Sequence, residues 1–357
     1  MKLLRWCCVL MLMFSTAVSY GQKRKIIIDQ DAAGPAGTDQ QSMLLLIQSP
    51  QTDVLGITVV TGDQWLKAEL AHTLRMLELV GRTDIPVMAG AEYPLVRTKE
   101  QSELDEQHYG KFAWLGAWTP RFYHPADDFG PMPEGQPTTK PAAEDAAHFL
   151  LRLVHQYPNE VTIYAGGPMT NLALALAIDP QFPRLAKELV FMGASLAPQT
   201  TDAEFVNTPR REFNLWFDPE AAHMVLRAPW KKIVCTTVDI SVKTDFSADL
   251  LNKIKAANSP AAQYVAKYAR RRGQYDYLWD ELASAAWLDP SIITKTETRL
   301  MDIDLSHGPN YGNTLTWSNE DKPAIQLQPV QIQVDLDTAK FYKMFVDLLS
   351  ALTPKGQ

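Results

Sequence analysis

Apolar and polar positions fall into regular blocks along this chain. Lys25-Ile26-Ile27-Ile28 is a short β-branched run that ends in acidic and Gly/Pro residues, which predicts a buried strand entering a loop. The apolar stretch at 43–47, stopping at Ser49-Pro50, predicts a helix, and 54–60 predicts a second strand. The pattern repeats with a helix over 66–79, a strand near 161–164, a helix over 172–177, and strands near 189–192 and 232–235. Buried strands alternating with helices imply an α/β domain: a mainly parallel open sheet covered by helices on both faces.

Between Glu100 and Pro141 the periodicity fails, and the segment is rich in Pro, Gly, Trp and Tyr. Residues 100–141 are expected to be an irregular excursion, not a domain. Its aromatics Trp114, Trp118 and Tyr123 either cover a ligand or pack the loop against itself. From Ile303-Asp304-Leu305 through 330–334 to the amphipathic 341–349, the chain reads as a short β-rich piece closed by a helix. There is no internal repeat.

The N-terminus changes the picture of what the mature chain contains. Lys2 and Arg5, an apolar run over 6–18, and small residues at Ala17, Ser19 and Gly21 form the three-part pattern of a secretory signal peptide. The expected division is a leader at 1–21 and one α/β domain at 22–357, exported to the periplasm or secreted. The leader run is short for a bilayer span, and nothing later reaches the roughly 20 apolar residues required, so no stable membrane insertion is expected after cleavage. Cys7 and Cys8 leave with the leader, and Cys235 alone cannot form an internal disulfide. The leader holds two basic residues and no acidic one, so its removal takes the formal charge from −7 to −9. No basic run exceeds Lys23-Arg24-Lys25 or Arg270-Arg271-Arg272, which disfavours nucleic acid as a partner and reads as solvated surface.

In open parallel sheets the ligand sits beyond the C-terminal strand ends. After the first strand come Asp29, Asp31 and Asp39. Three carboxylates within eleven residues repel one another unless a cation or a polyhydroxylated ligand lies among them, and hard oxygens suit Ca²⁺ or Mg²⁺. A solvated acidic loop with an Asp capping the next helix is the plainer alternative. Further candidates follow later strands. Gly166-Gly167-Pro168-Met169-Thr170-Asn171 is a turn exposing carbonyls before a helix, and Gly193-Ala194 follows the next strand. Glu212-Phe213-Asn214 places an acceptor and an amide on one side of an extended segment. Asp218-Pro219-Glu220-Ala221-Ala222 reads as a helix start, and Trp279-Asp280 opens a helical run at 282–287.

Taken in order and spacing, this set resembles the inosine/uridine-preferring nucleoside hydrolase family, with its DxDxGxDD, GPLTN, MGG, EFN and DPEAA motifs and a late Asp preceded by His or Trp. The resemblance implies a nucleoside hydrolase-like, Rossmann-like single domain that cleaves the N-glycosidic bond of a ribonucleoside to base and ribose. It implies Asp31 as general base and Ca²⁺ ligand, Asp280 and the Thr170 carbonyl as further ligands, and position 40 as the remaining one. Asp39, Asn214, Glu212 and Asn207 would hold ribose hydroxyls, Asp29 would support Asp31 from behind, and Asp63, in place of the family's Asn after the second strand, would face the same site. The family is commonly dimeric or tetrameric.

The residue chemistry agrees with that reading. Cleaving an N-glycosidic bond passes through an oxocarbenium-like sugar, which anionic groups and hydroxyl-holding acceptors favour. A divalent ion lowers the pKa of its water so that Asp31 can take a proton near neutral pH. Trp279 stands where some family members carry His, and it can stack on a purine, as in the purine-preferring branch. Two departures stand out. Seven residues, not three, separate Asp31 from Asp39, and the second Asp of the family's pair is Gln40, a neutral amide that predicts weaker Ca²⁺ binding. Gln40 and Asp63 keep open a secreted nucleoside- or sugar-binding protein on the same scaffold. The strand-DxD start also resembles haloacid-dehalogenase-type phosphatases, with Asp29 as nucleophile.

Overall fold

The computed structural model describes residues 23–119, 124–128, 130–271, 273 and 275–354. The expected leader at 1–21, Tyr123 and Arg272 lie outside the described residues. The isoleucine run forms the centre of β1, Arg24–Gln30. Its alternation divides the protein: Ile26 and Ile28 enter the core on one face and Ile27 the core on the other. A strand buried on both faces must be apolar at successive positions.

Strands β2 (Thr52–Val59) and β3 (Val87–Ala89) stack parallel on one side of β1. On its other side stack β4 (Thr162–Ala165), β5 (Glu188–Met192) and β6 (Ile233–Thr236), also parallel. Late in the chain β7 (Ile293–Ile303), β8 (Thr314–Trp317) and β9 (Pro329–Leu336) join the same sheet. The order is β3-β2-β1-β4-β5-β6-β9-β7-β8, with β9 parallel to β6 and β7 antiparallel to both its neighbours. Helices Thr38–Gln48, Leu66–Val80, Pro260–Tyr268, Trp279–Leu288 and Thr338–Ser350 cover one face. Helices Ala146–Gln156, Thr170–Ile178 and Pro219–Arg227 cover the other. Among the described residues no helix is long and apolar enough to cross a membrane.

The chain builds outward from β1 through β2 to β3, then returns to lay β4 on the opposite side of β1. That reversal opens a crevice at the C-terminal ends of β1 and β4, where loops diverge to opposite faces. Three sequence expectations change here. The first helix begins at Thr38, so Asp39 and Gln40 sit in its first turn and not on the loop. The C-terminal strands extend the main sheet instead of forming a separate piece, and β7 carries a polar, half-exposed first half that has no apolar run to reveal it. Within the excursion, Lys99–Tyr109 is helical, and Trp118 packs 4.5 Å from Phe217 in a small cluster with Trp65, Leu115 and Trp216.

Candidate active site

Asp31 leaves the end of β1 into a tight space made by two glycines. A Cβ on Gly62 would fall 2.1 Å from Asp31 Oδ2, and one on Gly167 would fall 2.8 Å from the Asp31 backbone nitrogen. The loops after β2 and β4 therefore close directly on this carboxylate. The Asp63 N–H donates to Asp31 Oδ2 at 3.0 Å, and the Trp114 indole N–H donates to Asp63 Oδ1 at 2.6 Å. Asp39 Oδ2 accepts from the Ala33 N–H at 3.1 Å, and a hydrogen bond links Asp39 with Asp280. Two bonded carboxyl groups hold at least one proton between them. Beneath this group, Asp29 Oδ2 accepts from the Thr58 hydroxyl at 2.5 Å and from Asn171 Nδ2 at 2.8 Å. Asp29 is buried and lines neither adjoining cavity, so it supports the β1 end and does not offer a phosphatase nucleophile.

A cavity of about 520 Å³ opens on this cluster, lined by Asp31, Asp39, Asp63, Asp280, Glu212 and Asn214 with Trp279 at its side. A second chamber of about 560 Å³ adjoins it and shares Thr38, Asp63, Trp114, Tyr275 and Trp279. The lengthened loop after Asp31 forms a wall of that chamber.

Burial, followed by the charges of Asp63, Asp39, Glu69 and Asp280, holds the Asp31 carboxyl well above its ordinary range. Burial and then the charge of Glu281 do the same to Asp280. Asp280 Oδ1, Glu69 Oε2 and Glu281 Oε1 are buried without a hydrogen-bond partner among the described residues. Carboxylates gathered at this density require protons or a cation, because an uncompensated buried charge is costly. Hard carboxylate oxygens, one of them an unpartnered Asp280 oxygen beside Asp31 and Asp39, fit a cation such as Ca²⁺. Among the described residues no three such side chains already stand as a closed metal cage.

Glu212 caps the short helix Phe213–Phe217. Its Oε1 accepts from the Asn214 N–H at 2.8 Å, and its Oε2 from the Ala194 and Leu215 N–H groups at 3.1 Å each. Burial, above all, pushes its carboxyl up to about 7. Asn214 is therefore helical, not extended, and its Nδ2 donates to the Gly166 carbonyl at 2.8 Å, tying it to the end of β4. Trp279 is half-buried, with Phe205 and Tyr277 edge-on at 5.8 and 4.9 Å.

Two expected residues stand elsewhere. Gln40 turns away from the carboxylates: its Oε1 accepts from the Ala36 N–H at 2.7 Å and the Tyr264 hydroxyl at 2.6 Å. It anchors the lengthened loop and does not offer that oxygen to a cation. Asn207 is exposed at the end of helix Ala203–Asn207 and does not line the cavity, whereas Glu204, on the preceding turn, does. Thr170 directs its hydroxyl to Asp218 Oδ2 at 2.6 Å, which leaves only its carbonyl for any ligand role. Trp114, Asp202 and Glu204 also line the cavity. Trp114 carried a signal as an aromatic of the excursion; Asp202 and Glu204 carried none.

The switch-point cavity walled by carboxylates, an amide and an indole offers acceptors for sugar hydroxyls beside a stacking face for a flat ring. The chain matches the inosine-uridine preferring nucleoside hydrolase family over residues 26–343. An uncharacterized protein of Schizosaccharomyces pombe is 31% identical over 346 residues, covering 92% of this chain and 85% of that protein. A probable uridine nucleosidase of Arabidopsis thaliana is 28% identical, covering 93% of this chain and 99% of the relative. A solved plant nucleoside hydrolase superposes with a TM-score of 0.72 at 25% identity, covering 92% of this chain and 99% of the other. This chain belongs to the inosine-uridine preferring nucleoside hydrolase family. It is an enzyme that hydrolyses the N-glycosidic bond of nucleosides.

Proposed function

We propose that the enzyme prefers purine ribonucleosides and that Asp31 is the base that takes a proton from the attacking water. The observation that carries the reading is the position of Asp31, crowded by carboxylates at the floor of a cavity whose side is the indole of Trp279. Burial, and then the neighbouring carboxylates, raise the proton affinity of Asp31, which suits a general base. Asp39, Glu212 and Asn214 surround the same space as acceptors and an amide for ribose hydroxyls. The indole supplies a stacking face for the base.

Asp31, Asp39 and Asp280, with the Thr170 carbonyl, would hold Ca²⁺. When bound, such an ion lowers the pKa of water and offsets the gathered negative charge. The leader pattern at 1–21 supports export of the mature chain.

The test is release of free ribose from inosine, adenosine, guanosine and uridine, with and without Ca²⁺, by the mature protein and by Asp31→Ala. Ribose release favouring purines and lost in Asp31→Ala is expected. Equal turnover of uridine would remove the purine preference, and undiminished turnover by Asp31→Ala would remove the assigned base.

A further inference from the structure

Hydrolysis of a nucleoside has two proton demands. Water must lose one as it adds to the sugar, and the departing base must gain one, because a purine anion leaves poorly. Asp31 answers the first. For the second, among the described residues the carboxylate cavity is lined by no His, Lys or Cys; its one phenol, Tyr275, is hydrogen-bonded to the Thr201 hydroxyl at 3.0 Å, and an indole N–H such as that of Trp279 is not a titrating acid.

Glu204 has the placement for it. It lies on helix Ala203–Asn207 and lines the cavity next to Phe205, whose ring meets Trp279 edge-on at 5.8 Å. That aromatic pair is the wall against which a flat base would rest. The neighbouring acids are engaged: three backbone N–H groups hold Glu212, and Asp202 accepts the Glu204 N–H at 3.1 Å. The Glu204 carboxyl, half-buried, receives no hydrogen bond from any described residue.

We propose that Glu204 is a catalytic residue, the acid that protonates the departing base; this rests on the nucleoside hydrolysis described above. The C1′–N bond breaks with its electron pair passing to the ring nitrogen, and the Glu204 carboxyl proton passes to the base, leaving a carboxylate. Water adds at C1′ and yields one proton to Asp31. Asp31 returns that proton to solvent and Glu204 regains one from solvent, so nucleoside and water become base and ribose. The surroundings suit the task. Burial foremost holds the Glu204 carboxyl up at about 7; Arg211 opposes this, while Asp202 and Asp63 add to it. Glu212 is a further acid within its field. Glu204 thus keeps its proton in part of the molecules near neutral pH and loses it as pH rises, which gives nucleoside turnover a limb that falls above about 7.

The experiment compares inosine with p-nitrophenyl β-D-riboside, whose phenolate leaves without protonation, in the wild type and in Glu204→Gln. The expected result is a fall in kcat of about 100-fold or more on inosine, near-normal turnover of the aryl riboside, and loss of the high-pH limb. Retained aryl-riboside turnover also reports that the variant folds. Equal losses on both substrates, a change confined to KM, or an unaltered high-pH limb would overturn the assignment. A wild type that cleaves the aryl riboside but no nucleoside would instead strike the reading of the substrate beneath it.

Discussion

Replacing Gln40 by Asp restores the residue that the family's acidic pair carries, and the structure predicts that this harms the protein. Gln40 is fully buried, and its Oε1 is the acceptor for the Tyr264 hydroxyl and, at 2.7 Å, for the Ala36 N–H. The Ala36 N–H has a second acceptor in the Tyr264 oxygen at 3.2 Å, so it keeps a partner when the side chain shortens. The Tyr264 hydroxyl does not. An unpaired buried hydroxyl costs about 1–3 kcal/mol and the lost methylene about 0.8 kcal/mol, so Gln40→Asp should cost about 3 kcal/mol before any charge is counted. The new carboxyl also enters a region already crowded with acids, which adds to the loss near neutral pH.

Urea denaturation of wild type, Gln40→Asp, Tyr264→Phe and the double variant, each with and without Ca²⁺, measures this. Tyr264→Phe should cost about 1 kcal/mol in the wild type and close to nothing beside Gln40→Asp, since the bond it removes is already gone. The reasoning fails if Gln40→Asp matches the wild type in stability and binds Ca²⁺ more tightly. Position 40 would then face the cation, and the loop would be held by something else.

Two further outcomes are expected. Trp279→Ala should lower turnover of purine nucleosides more than of uridine, because the larger ring loses more stacking area; an equal loss on both would count against stacking. Burial, the foremost cause, lifts the Asp29 carboxyl from 3.8 to about 7, while Thr58 and Asn171 pull it down. The folded state therefore holds this proton longer than the unfolded chain, and stability falls as pH rises from about 4 to about 7, by at most about 4 kcal/mol. Asp29→Asn removes that titration, so its stability in Ca²⁺-free buffer should fall less steeply over the same window. Parallel curves for the two proteins would refute the assignment.

Much of the site was legible because the fold delivers it through local rules. Strand ends in a parallel sheet converge on one edge, so residues just after apolar runs were the ones to inspect, and Asp31 and Asp63 follow that logic, whereas Glu212 lies well beyond β5 and was legible only through its pairing with Asn214. Helix phase was less legible. Asp39 and Gln40 are adjacent in sequence, yet successive residues on a helix point about 100° apart, so one reaches the cavity and the other the loop behind it. Asn207 and Glu204 stand three apart on one short helix, and it is the place of Asn207 at the exposed end of that helix, not its phase, that keeps it from the cavity.

The sequence by itself determined the order of buried strands, the positions of the acids after them and the family to which they belong, because burial patterns and motif spacing are local properties of a chain. Only the tertiary structure decided what Gln40 does. Its partner Tyr264 lies 224 residues away, and a buried amide oxygen goes to whichever donors the packed fold brings within reach. The same holds for Asp280, joined to Asp39 across the whole chain, and for Glu204, whose exposure to the cavity follows from the docking of one short helix.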